Sequence, residues 1–153
     1  MKQETLTKEH QFCTFYLENL FFGIEVEKIQ EIIRYCPITY VPLSSPDVAG
    51  LINIRSQIVT AIDLRNSLNL PQNSLDYFPL NVVVNLGDEI ISLLVDEVGD
   101  VLDISEDNFE KTPETLTGKV KDLIKGTYKL EQKLLLILDV EKVIHIETDK
   151  NSF

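Results

Sequence analysis

The chain has 153 residues, 44% of them apolar, and a formal net charge of −11. That length suits one domain or two small subdomains with a real core. The charge argues against nucleic acid, which needs clustered Lys and Arg. No apolar run is long enough to span a membrane, and Met1–Glu4 lacks a signal-peptide pattern, so a cytoplasmic location is expected.

Residues 1–10 are polar and patternless and are expected to form a loose tail. FCTFYL at 12–17 and LFFGIEV at 20–26 read as a strand pair turning at Glu18-Asn19. Apolar residues at 26, 29, 32 and 33 suggest one helical turn leading into a strand. Three prolines between 37 and 46 mark a loop. Residues 49–54 and 58–62 read as strands joined by a tight turn at Arg55-Ser56-Gln57. A short helix or turn is expected over 64–70, and 71–79 is the expected linker.

The second half repeats the plan. Leu80–Leu86 and Ile90–Val95 flank the turn signal Gly87-Asp88, and Val98–Ile104 continues as a strand. Residues 105–118 read as a polar loop. Lys119–Leu130 and Leu134–Leu138 form the expected last hairpin, turning at Glu131-Gln132, and Asp139 is placed to cap a helix reaching Ile146.

The halves are related in detail. GLINIRSQIVTAIDL at 50–64 returns in degraded form as GTYKLEQKLLLILDV at 126–140, with Gly50 meeting Gly126 and Asp63 meeting Asp139. GIEVEKIQEII at 23–33 matches SLLVDEVGDVL at 92–102, pairing Val26 with Val95, Ile29 with Val98, and Ile32 with Val101. A period longer than a solenoid unit indicates two related subdomains. Five short strands per half leave two open edges unless each sheet closes, so one small barrel per repeat is expected. Leu134–Leu138 is apolar on both faces; one face would fill a barrel, and the other needs the sister barrel or a partner. Two such units side by side are expected to leave an apolar groove at their seam.

The charge is uneven: residues 1–85 hold nine acids and six bases, and residues 86–153 hold sixteen and eight. All three arginines, Arg34, Arg55 and Arg65, lie in the first half. Arg34 and Arg65 read as solvated surface charge, whereas Arg55 at a turn tip is placed to meet a carboxylate. Cys13 and Cys36 read as small buried hydrophobes without metal-type spacing.

The repeated blocks resemble the CheW family, the adaptor proteins of bacterial chemotaxis, over about residues 11–146. The resemblance is carried by Val26, Ile29, Glu31, Ile32 and Ile33; by Thr39, Val41 and Pro42; by Gly50, Asn53, Arg55, Ile58, Asp63 and Leu64; and by Leu94, Val95, Asp96, Val98, Val101 and Leu102. Ser56 stands where the family has glycine, and Thr60 where it has proline. Serine meets a steric penalty at positive φ, and Thr60 restores an N–H to a strand edge.

The resemblance implies a mostly β fold of two pseudo-repeated five-stranded SH3-like barrels packed side by side, with short helices. The expected domain covers 11–148, divided at about 78/79 into two subdomains, with 149–153 as a tail. No catalytic residue, metal or cofactor is implied. The implied partners are the regulatory domain of the histidine kinase CheA and the cytoplasmic hairpin tip of chemoreceptors, at membrane-associated arrays and without membrane insertion. Val26, Ile29 and Ile32 would line one wall of the receptor groove, Val98 the facing wall, with Arg55 at the edge. Thr39, Val41, Pro42, Gly50, Ile52 and Asn53 would lie on the kinase surface.

The same aliphatics taken alone would simply fill a barrel. Two further readings stand beside the adaptor. One is a CheW-like adaptor of a twitching-motility or other kinase array. The other is a carboxylate-based hydrolase, for which the chain offers dense acids but no nucleophile elbow, phosphate loop or zinc spacing.

Overall fold

The structure, a computed structural model, describes residues 9–71 and 78–144. Residues 1–8 of the tail expected over 1–10, most of the linker, the end of the last helix with His145, and the C-terminal tail lie outside the described residues; Glu9 and His10 belong to the first strand and not to a tail.

Eleven strands follow in chain order: β1 (Glu9–Leu17), β2 (Leu20–Glu25), β3 (Ile29–Ile33), β4 (Val48–Ile54), β5 (Gln57–Asp63), β6 (Leu80–Asn85), β7 (Ile90–Val95), β8 (Glu97–Ser105), β9 (Phe109–Glu110), β10 (Ile124–Lys129) and β11 (Leu134–Leu138). Two short helices, α1 (Leu64–Ser67) and α2 (Gly118–Asp122), and 3-10 turns at Val26–Lys28 and Glu106–Asn108 complete the named elements. The turn at 26–28 is the one expected before β3. The polar loop after β8 carries a second 3-10 turn and the two-residue β9. The segment from Lys119 does not enter a strand directly: α2 comes first, and β10 starts at Ile124.

The strands form two sheets, β8-β1-β2-β11-β10-β9 and β3-β6-β7-β5-β4. In the first, the outermost strands β8 and β9 are joined by the turn at 106–108, so the two edges of the sheet meet. In the second, β3 and β4 are the outermost strands, and the loop between them bridges back through Thr39 to Leu51. These are the two SH3-like barrels, called here barrel A (with β1) and barrel B (with β3).

Their composition differs from one barrel per sequence half. Barrel A takes β1 and β2 from the first half and β8–β11 from the second; barrel B takes β3–β5 from the first and β6–β7 from the second. The repeats have exchanged their leading hairpins, so a division at 78/79 cuts both sheets. The pairing registers are repeat-equivalent. Phe22 pairs with Leu136 as Ile91 pairs with Thr60, and Phe15 with Val98 as Val84 with Ile29. Local geometry drives the exchange at Asp96, the only residue between β7 and β8. A tight reversal needs at least two residues, so the chain runs on into the other sheet.

Three apolar clusters result. Phe12, Phe21, Ile104, Tyr128, Leu135 and Ile137 fill barrel A. Ile52, Ile54, Val59, Ala61, Val83 and Leu94 fill barrel B. The largest lies between the barrels, with Phe15, Leu17, Phe22 and Ile24 of A meeting Ile62, Leu64, Val82, Val84, Ile91 and Leu93 of B. β11 shows the alternation: Leu135 and Ile137 face the barrel, Leu136 and Leu138 the seam. The open apolar groove expected along the seam is therefore filled by the chain's own side chains. Among the described residues, its margin stays partly exposed at Ile29, Ile32 and Val98.

Candidate protein-docking surfaces

The first candidate surface lies at that margin. A register shift between Ile29 and Glu31 lets β3 place Ile29 and Ile32 on one side, opposite Val84 and Val82, whose side chains face the seam. Ile29 is half-buried and packs against the seam cluster; Ile32 is 40% exposed. Val98, the repeat mate of Ile29, is likewise half-buried on the same cluster, but from β8 at an edge of barrel A. Val26 is half-buried and borders a cavity of about 370 Å³ with His10, Gln11, Glu25 and Glu27. Burial alone would raise the Glu25 carboxyl. The hydrogen bond from Lys125 and the charges of Lys125 and Lys28 outweigh it and hold the group below its ordinary value.

Val101 was paired with Ile32 by the repeat and not chosen from sequence. It is 55% exposed and sits opposite Cys13. Cys13 itself is buried, which pushes its thiol up. The available signal was the repeat itself: equivalence to Ile32 was enough to nominate Val101.

Arg55 stands apart from this margin. It donates to Glu31 Oε2 at 2.8 Å, and Glu31 lies on the other side of β3 from Ile32. Together with Ile33, Cys36, Asn53 and Ile54 the pair borders a cavity of about 260 Å³. The carboxylate expected for Arg55 is thus supplied within the chain, and Arg55 is grouped with Asn53, not with Val26, Ile29 and Ile32. The turn beneath it has positive φ at both Arg55 and Ser56, the geometry of a type I′ hairpin. Ser56 accepts that conformation, and its N–H donates to Asn53 Oδ1 at 2.9 Å.

The second surface is the loop leading to β4. Thr39 and Leu51 exchange two backbone hydrogen bonds of 2.8 Å. Gly50 makes this approach available: a Cβ there would lie 2.3 Å from the Thr39 carbonyl oxygen. Thr39, Pro42 and Asn53 are exposed, and Val41 is half-buried. Ile52 is 2% exposed and belongs to the barrel B core, so it cannot touch a partner; Gly50 is also buried. Sequence reasoning passed over Tyr40, Leu43 and Ile58, all well exposed, with Ile58 directly opposite Asn53. Apolarity alone could not show that these side chains face water.

Thr60, read from sequence as an edge residue, lies in the interior strand β5 between Leu51 and Ile91. Arg65, read as surface charge, is buried. Among the described residues no three His, Cys, Asp or Glu side chains gather as a metal site. Among them, too, no helix is long and apolar enough to cross a membrane.

A family model described as CheW, CheW-like domain, matches residues 11–148. The chemotaxis protein CheW of Klebsiella aerogenes is 30% identical over 141 residues, covering 92% of this chain and 85% of that one. The chemotaxis protein CheW of Bacillus subtilis is 28% identical over 152 residues, covering 99% and 97%. The crystal structure of scaffolding protein TtCheW from Thermoanaerobacter tengcongensis superposes with a TM-score of 0.77 at 23% identity, over 86% of this chain and 89% of that one, a likeness of fold.

Proposed function

This chain belongs to the CheW-like domain family, a family of non-catalytic chemotaxis scaffolds, and from that premise we propose that it couples chemoreceptor tips to the histidine kinase CheA. The observation that carries this reading is that two partly apolar surfaces lie apart on one packed body. The seam margin, with Val26, Ile29, Ile32 and Val98, suits the apolar stripe of a receptor helix, because aliphatic side chains stand beside charged neighbours such as Glu27. The loop face, with Thr39, Tyr40, Val41, Pro42, Leu43, Asn53 and Ile58, suits the kinase domain. Two modest contacts held by one body add avidity in an array.

The test uses purified receptor fragments and CheA. Ile32→Asp places a charge on an exposed apolar contact, with an expected loss of receptor affinity of about tenfold or more. CheA capture and thermal midpoint should be unchanged. Tyr40→Ala should give the reverse pattern, weakening CheA capture alone. Parent-like receptor binding by Ile32→Asp would overturn the assignment of the margin.

A further inference from the structure

The chain crosses between barrels at two points, and the two crossings are built differently. At Val26–Lys28, between β2 and β3, the side chains are half-buried or exposed. At Asp96, between β7 and β8, a charged network is packed into the joint. Arg65, from α1 of barrel B, has a side chain only 4% exposed. Its Nε and Nη2 donate to Asp96 Oδ1 and Oδ2 at 3.2 and 2.6 Å, a two-pronged contact. Its Nη1 donates to Glu18, in the β1–β2 turn of barrel A, and to the carbonyl oxygen of Pro71. Asp96 Oδ2 also accepts the N–H of Glu18 at 2.9 Å, and the Asp96 N–H donates to the Tyr16 carbonyl at 3.0 Å. One arginine thus ties barrel B to the turn of barrel A and to the crossing itself.

The repeat makes the asymmetry plain. The mates of Arg65, Asp96 and Glu18 are Glu141, Glu27 and Gly87, two acids and a glycine. Glu141 and Glu27 are both exposed. No equivalent fork can form at the other crossing.

We infer that Arg65 is a positioning residue: its fork onto Asp96 and Glu18 sets the angle between the barrels, which the apolar seam alone leaves underdetermined. Hydrophobic contact is non-directional and holds the barrels together over a range of small rotations. A two-pronged guanidinium–carboxylate contact is directional, and burial strengthens it. The set angle fixes how β3, on barrel B, stands against β8, on barrel A, and so the shape of the margin carrying Ile29 and Val98. That functional consequence rests on the adaptor reading; the geometric claim does not.

The experiment measures inter-barrel distance in the isolated full-length protein. Spin labels are placed at the exposed positions Gln57→Cys in barrel B and Lys129→Cys in barrel A, with Cys13→Ala and Cys36→Ser. Asp96→Asn keeps the volume and removes the charge; Arg65→Lys keeps the charge and removes the fork. Each should broaden the distance distribution about twofold while unfolding stays cooperative, and the Glu18 amide should exchange hydrogen about tenfold faster, as befits loss of a charge-assisted bond. A folded variant with a parent-like distribution overturns the inference. Should both variants fail to fold, Glu18→Gln, which alters only the more exposed partner, decides by the same criterion. Receptor capture by Asp96→Asn should fall although no margin residue is changed. If the parent itself captures no receptor, the adaptor reading fails, and the distance result stands by itself.

Discussion

At Gly50 a single hydrogen in place of a methyl group decides whether the loop before β4 can dock. A Cβ would lie 2.3 Å from the Thr39 oxygen and 2.6 Å from Ile38 Cγ2, and φ is +153°. Gly50→Ala therefore has to separate Thr39 from Leu51. The expected cost is about 2 kcal/mol or more, as for other strained or overpacked sites, read as a lower midpoint in urea. A parent-like midpoint would show that the loop shifts freely. The same residue explains why the Gly-x-x-Asn-x-Arg block was readable as a unit. Gly50 permits the close approach, Asn53 accepts from the turn N–H, and Arg55 reaches Glu31. Ile52 sits among these residues and is core, because strand alternation turns it inward.

The β4–β5 hairpin shows how a turn tolerates an unfavourable residue. Ser56 has φ +72°, where a side chain crowds the following carbonyl. Ser56→Gly removes that strain and should stabilise the protein by about 1 kcal/mol, measured by thermal or denaturant unfolding. Destabilisation would mean that the serine side chain contributes more than the turn loses. The two segments that follow the sister hairpins start alike. Asp63 accepts from the Asn66 N–H at 3.3 Å, and Asp139 accepts from the Lys142 N–H at 3.2 Å. The cap expected at Asp139 is present, and its repeat mate does the same work at α1. α2 escaped the sequence reading because Val120, Leu123, Ile124, Thr127 and Tyr128 suit a strand, although Gly118 and Asp122 mark a break before it.

For the molecule as a whole, exchange of the leading hairpins makes the two halves interdependent. Each barrel draws strands from both halves, and the largest apolar cluster joins the barrels. Unfolding should therefore be a single cooperative transition, with midpoints by circular dichroism and tyrosine fluorescence coinciding. A fragment ending near residue 75 and its complement should each be unfolded alone and regain the native spectrum when mixed. Independent folding of either fragment would contradict the exchanged topology. On the proposed adaptor reading, the same interdependence joins the two candidate surfaces through one shared core.

The amino-acid sequence by itself determined the duplicated β plan, the places of the hairpin turns at 18–19, 55–57, 87–88 and 131–132, and the family. These rest on local chemistry: turn residues, strand alternation and repeated blocks are written along the chain. Tertiary structure alone decided which strands share a sheet, that the seam is filled, and that Arg65 is buried against Asp96 while Ile52 lies in the core. The physical reason is that sheet partners and side-chain exposure depend on residues distant in sequence. Two equivalent hairpins can complete either barrel with the same strand pattern; the one-residue link at Asp96 carries the chain onward, and packing of both halves closes the exchanged sheets.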